Sequence, residues 1–325
     1  MPSPTLREHL AESLRRSAGT IAWLIRIMVP ASAVVFVLRR LGILEHLGQL
    51  LEPLMSVIGL PGEAAMALIS SVLINLYAVI AMVPALGLDH RQLVILGLLC
   101  LVAHNFLVEL AVTRRTGTPV TRMVAVRLAG GLFLAWTTSI LLPSGGFWNE
   151  PVVVGGGTAA AAMPADLGPA LGAWAIETGR LLLRVTVIVS VLVVATRWLQ
   201  FAGITDRVAR LVRHPLRLFG LPAASAPAWI VANTLGLAYG AAVLREEAET
   251  GRLDAADGDL LNHHLGVSHS LIEDTALFVA LGAPVLWIIV PRLALALAVV
   301  WERRLERAVG VTPIRTRPAA PGSVP

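Results

Sequence analysis

The chain has 325 residues, 56% hydrophobic and only 14% charged, with a mean hydropathy of +0.75. A soluble domain carries about 25% charged residues, so a water-soluble globule is excluded and the long apolar runs point to a bilayer. The formal net charge of +5 comes from arginine without lysine, and the single cysteine, Cys100, excludes an intramolecular disulfide and a multi-cysteine metal site.

Residues 1–17 are polar with Leu6, Leu10 and Leu14 one helical turn apart, which predicts an amphipathic helix on the membrane surface. The run Ile21–Leu38 is too long for the apolar region of a signal peptide, and no small-residue cleavage pattern follows it. It is expected to stay as the first membrane helix. Apolar stretches near 18–38, 63–86, 91–113 and 123–142 predict spans, with Gly42–Gly59 between the first two as an interfacial or re-entrant piece. Residues 143–170 are rich in Gly, Ala and Pro and lack Arg, which predicts a linker on the outer side. The plan then returns: a span near 178–199, an Arg-rich interfacial piece at 203–219, and spans near 225–244, 258–281 and 283–301. The Pro-rich tail 308–325 is expected to be disordered.

These elements predict an all-α integral membrane protein of about eight transmembrane helices, plus short interfacial or re-entrant helices. It would be a multi-pass protein of the cell (inner) membrane. Arginines gather beside the apolar runs, as at Arg39/Arg40, Arg114/Arg115/Arg122 and Arg303/Arg304/Arg307. That is the pattern of cytoplasmic flanks rather than of a nucleic-acid surface.

The plan is also written twice, predicting two pseudo-symmetric repeats at 18–142 and 171–307. Thr20-x5-Arg26 matches Thr178-x5-Arg184, and Glu52-Pro53-Leu54 with Gly59-Leu60-Pro61 matches His214-Pro215-Leu216 with Gly220-Leu221-Pro222. His104 to Glu109 matches His269 to Asp274, and in the same register Arg127-Leu128-Ala129 matches Arg292-Leu293-Ala294. Parallel and inverted repeats both place a transporter's substrate site at the repeat interface.

Ionisable residues inside apolar helices cost a few kcal/mol on insertion, so they face the bundle interior and find partners. His104, Glu109, His269, Glu273 and Asp274 are of this kind, as are Arg26, Arg184 and Arg292, while Arg127 lies near enough to its helix start to snorkel. The two His-x4-acid elements are expected to meet across the pseudo-twofold axis, with Asn105 and Ser270 beside them. His269 and Glu273 share a face of an ideal helix; His104 and Glu109 do so only if the helix breaks at Asn105. The alternative has the acids pair with Arg26, Arg184 or Arg292 and merely hold the bundle together. Asn75, Tyr77, Asn233 and Tyr239 are expected to line the same cavity, or else to bond helix to helix. The acidic run from Glu246 to Asp259 reads as a solvated loop.

A metal site could draw on Cys100, His104 and His269, with His263 and His264 nearby. Neither HExxH nor CxxC occurs, Leu265 stands where the second repeat would carry the cysteine, and a lone cysteine in an apolar helix is ordinarily packing.

The motifs Asn75-Leu76-Tyr77-Ala78, Ala103 to Glu109, Tyr239-Gly240-Ala241 and Ser268 to Thr275 resemble those of the nucleoside-recognition (Gate) domain family of membrane proteins. The likeness covers roughly 20–305 and is greatest to two-Gate members of uncharacterised function. More distantly, the chain is similar to spore maturation proteins A and B and to the membrane part of ferrous-iron transport protein B. It departs from the last in lacking a GxxxxGK[ST] motif and a recurring Gate cysteine. The resemblance implies a helical membrane domain with permease-like function.

The expected function is therefore a transporter or permease, not an enzyme, for a small polar or ionic solute. It needs no resident cofactor; a coupling proton or cation would be handled at the histidine–carboxylate site. Its partners would be the bilayer, the solute, and a second copy or another membrane protein. A second reading makes the chain a non-transporting assembly partner, as the spore-maturation likeness allows. A third, divalent metal transport or an intramembrane metalloenzyme, has the least support.

Overall fold

The computed structural model describes residues 28–153, 166–201 and 214–310, with Ala22, Ile25, Arg26, Leu211 and Val212. The expected surface helix 1–17, the middle of the linker, the start of the 203–219 piece and nearly all of the tail lie outside the described residues. Among these, every regular element is helical, apart from one isolated bridge between Asp89 and Pro151.

Helices α1 (28–40), α2 (Ile43–Met55), α3 (Ala64–Leu73) and α4 (Leu76–Leu86) are followed by α5 (His90–Val102), α6 (Phe106–Arg115) and α7 (Val120–Leu141). After the linker come α8 (Leu167–Phe201), α9 (214–218), α10 (Ala226–Leu235), α11 (Leu237–Glu249), α12 (Ala255–Ser268), α13 (Glu273–Ala280) and α14 (Val285–Ala308). Three segments among the described residues are long and apolar enough to cross a membrane: His90–Arg114, Val120–Leu141 and Val285–Ala308, of 25, 22 and 24 residues. The first runs through the interruption between α5 and α6.

Helix α5 is hydrophobic all round and is buried from Leu93 to Val102, as expected of a helix enclosed on every side. Helices α7 and α14 instead turn Phe133, Trp136 and Ile140, and Leu286, Val290 and Trp301, outward. In water such surfaces would be costly; in a bilayer they are solvated by lipid chains. Helix α2 is docked through Glu52, whose carboxylate accepts the Gly62 N–H at 2.6 Å. A Cβ on Gly62 would lie 1.8 Å from the Gly48 carbonyl, so only glycine permits this approach.

The structure departs from the sequence expectation at the spans 63–86, 91–113, 225–244 and 258–281, each of which is two helices. The breaks fall at 74–75, 103–105, 236 and 269–272. Asn75 starts α4 by accepting the Ala78 N–H at 3.1 Å, and Gly236 turns the chain with φ 96°. Asn105 and Ser270 are the two non-glycine residues with positive φ among the described residues, both at 50°. At two of these breaks a freed backbone N–H has a partner on another helix. The Asn105 N–H donates to the Ser71 carbonyl at 2.8 Å and the Ser270 N–H to that of Ala232 at 3.2 Å. Such satisfaction is what an interrupted helix at membrane depth requires.

Two other expectations change. The linker is structured at both ends: Phe147 stacks on His90 at 4.1 Å, Val152 is buried, and α8 already begins at Leu167. The acidic run is not a solvated loop. Asp254 caps α12, and Asp259 is buried, accepting from Arg303 Nε at 2.8 Å, Arg307 Nη2 at 2.6 Å and Thr118 Oγ1 at 2.8 Å.

Candidate functional site

The interruptions of α5–α6 and α12–α13 meet face to face. His104 lies just beyond the end of α5 and His269 caps α12, while Glu109 and Asp274 sit in the first turns of α6 and α13. The backbone favours this division, because helix C-termini attract positive charge and N-termini attract carboxylates. The open carbonyls beside the breaks are held by two fully buried arginines. Arg127 donates from Nε to Val102 O and from Nη2 to His104 O, both at 2.8 Å, and Arg292 donates from Nη2 to His269 O at 2.6 Å.

The side chains converge. His104 Nε2 is 3.1 Å from Glu109 Oε1, His269 Nε2 is 3.2 Å from that same oxygen, and the two Nε2 atoms are 3.2 Å apart. Asp274 Oδ2 lies 3.8 Å from His104 Nε2. His104 and His269 are 6% and 2% exposed, and Glu109 and Asp274 6% and 8%. Both imidazoles are oriented from behind: Nδ1 of His104 donates to Leu101 O at 3.0 Å and Nδ1 of His269 to Leu265 O at 2.7 Å. A carbonyl can only accept, so Nδ1 carries hydrogen in each ring and Nε2 faces the cluster.

These residues open onto a cavity of about 210 Å³. Its lining includes Asn75, Tyr77, His104, Asn105, Glu109, Tyr239, His269, Ser270, Glu273 and Asp274 from the sequence expectation, and also Gly236 and Leu237, which that reading did not single out. Asn233 is absent from the lining. It works behind the site, accepting the Leu271 N–H at 3.4 Å and steadying the break after His269.

Several expected pairings are corrected. Glu273 does not share a face with His269, because the chain leaves helical geometry at 269–272; it accepts the Tyr77 hydroxyl instead. Glu109 pairs with Arg127, at 2.7 Å from Oε2, and Arg127 is fully buried rather than snorkelling. Arg26 is exposed, and Arg184 donates to Ala280 O at 2.9 Å, so neither arginine takes part in the cluster. Cys100 is buried in the apolar core and lends its carbonyl to Ser71 Oγ. His263 accepts from Arg122 and His264 from Trp229, both at 2.8 Å, away from the cavity. Only the burial of Arg127 could have been suspected earlier, from its shared register with Arg292.

Comparison with known proteins agrees with the motifs. Residues 21–138 match the Gate family, described as nucleoside recognition. The chain is 28% identical over 291 residues to the uncharacterized membrane protein YvoD of Bacillus subtilis (strain 168), across 88% of this chain and 92% of that one. No solved structure matches. The chain is a membrane protein whose residues 21–138 are similar to the Gate family and which is similar to YvoD over most of its length.

Proposed function

We propose that the chain is a multi-pass permease of the cell membrane that carries a small polar or ionic solute through the cavity between its four interrupted helices. In this reading α3–α7 and α10–α14 are the cores of two repeated halves, within a bundle of about eight membrane crossings. The paired left-handed residues Asn105 and Ser270, and the paired arginines Arg127 and Arg292 on the carbonyls of His104 and His269, support the duplication.

The observation that carries the reading is the meeting of two broken helices at one buried cluster of titratable groups that opens onto a cavity. Interrupted helices at membrane depth supply polar backbone and side chains to a solute where continuous ones cannot. A volume of about 210 Å³ is below the roughly 300–1,000 Å³ of sites for drug-sized ligands, which favours a small solute. The two halves would rock about this cluster to expose it alternately to either side.

Uptake into proteoliposomes tests this directly. Wild-type protein, offered nucleosides, organic anions, amino acids and cations in turn, is expected to accelerate entry of one class. The His104→Ala/His269→Ala variant should lose that acceleration. Equal uptake by wild type and variant would remove the cluster from the transport path.

A further inference from the structure

The cluster has four acceptors pointing at one another and no donor among them. Each imidazole already gives its Nδ1 hydrogen to a backbone carbonyl, so neutral rings present two Nε2 lone pairs to each other and to Glu109 Oε1. The second oxygen of Glu109 is committed to Arg127. Asp274 Oδ2 adds a fourth acceptor, buried and without a hydrogen-bond partner. Acceptors held this close need a positive centre among them.

A single proton can join only one pair of these atoms. Were two protons shared between the two Nε2 atoms, both rings would be cationic with their nitrogens 3.2 Å apart, a like-charge contact. The distances instead describe a coordination polyhedron. His104 Nε2, His269 Nε2 and Glu109 Oε1 form a nearly equilateral triangle with sides of 3.1, 3.2 and 3.2 Å. Four ligands around zinc at bonds of about 2.0 Å stand about 3.3 Å from one another. His104, His269 and Asp274 also offer ligand atoms that all lie within 4.8 Å of each other.

We propose that His104, His269 and Glu109 bind a divalent transition-metal cation of zinc type, with Asp274 or a water in the fourth position. This rests on the reading of the cavity as the solute site and names the solute class. The supporting groups fit the role: backbone carbonyls orient both imidazoles and Arg127 holds the free oxygen of the carboxylate, as outer partners of metal ligands do. Two imidazoles and carboxylate oxygen suit zinc, cobalt or nickel better than magnesium or calcium.

The test uses the full chain in detergent, stripped with chelator and titrated with Co²⁺. The expected result is one cobalt per chain with the intense visible bands of a tetrahedral ion, displaced by Zn²⁺. His104→Ala and His269→Ala should each abolish the bands, whereas Cys100→Ala should keep them. Should the histidine variants fail to fold, zinc-edge X-ray absorption of the wild type decides: imidazole nitrogen and carboxylate oxygen at about 2.0 Å are expected, without sulfur. Folded wild type that gives no tetrahedral band, or a shell containing sulfur, would overturn the site. Zinc bound but never moved across liposomes would support the site and overturn the permease reading. Uptake of another solute by protein that binds no cobalt would overturn the metal proposal and leave the permease standing.

Discussion

The α5–α6 and α12–α13 breaks carry the same parts and assemble them differently. At the first, Glu109 is closed onto Arg127 at 2.7 Å while its other oxygen meets both histidines. At the second, no ion pair joins Asp274 to the buried Arg292 among the described residues, and Asp274 Oδ2 stands 3.8 Å from His104 Nε2. The acid before Asp274 differs too: Glu273 reaches across to Tyr77, where Val108 precedes Glu109. The first break is thus a finished ion pair and the second an open one. Two similar breaks, one with a settled and one with an unsettled charge, give the cavity a fixed wall and an adjustable wall.

Substitutions can break or sharpen that contrast. The largest effect is expected from Arg127→Met, which strands Glu109 in the interior and removes the donors on Val102 and His104. Loss of one partner of a buried pair costs about 3–5 kcal/mol, so thermal unfolding in detergent should show a much lower midpoint or no folded protein. Tyr77→Phe removes a hydrogen bond to a carboxylate, and about 1.5–3 kcal/mol is expected in the same assay. Thr118→Val removes the bond from the α6–α7 loop to Asp259 and one of its bonds from Asn262, which still donates to Thr116, at about 1–2 kcal/mol. Asp274→Asn should change stability least, by roughly 1 kcal/mol or less, since its Oδ2 forfeits no hydrogen bond. Were Asp274→Asn as damaging as Arg127→Met, the two breaks would be equivalent and the contrast wrong.

Much of this was legible in the sequence because polar residues in apolar helices stand out. The registers of His104 with Glu109, His269 with Asp274, and Arg127 with Arg292 could be read directly. The break at Asn105 entered only as the condition for His104 and Glu109 to meet, because residues five apart do not share a helical face. The break at Gly236 was hidden by apolar residues on both sides, and that at Asn75 by the continuity of hydropathy across it. Glu273 was misplaced because an unbroken helix was assumed after His269. Asp259 was lost among its acidic neighbours, since burial of one carboxylate in a run depends on arginines 44 and 48 positions later.

The central claim is that the cavity between the broken helices is the path of the solute, and that its adjustable wall is Asp274. The most direct measurement pairs proteoliposome uptake with the thermal midpoint for wild type and Asp274→Asn. The account predicts that uptake falls at least about ten-fold, equivalent to 1.4 kcal/mol or more, while the midpoint moves little. Unchanged uptake by a stably folded Asp274→Asn protein would contradict it.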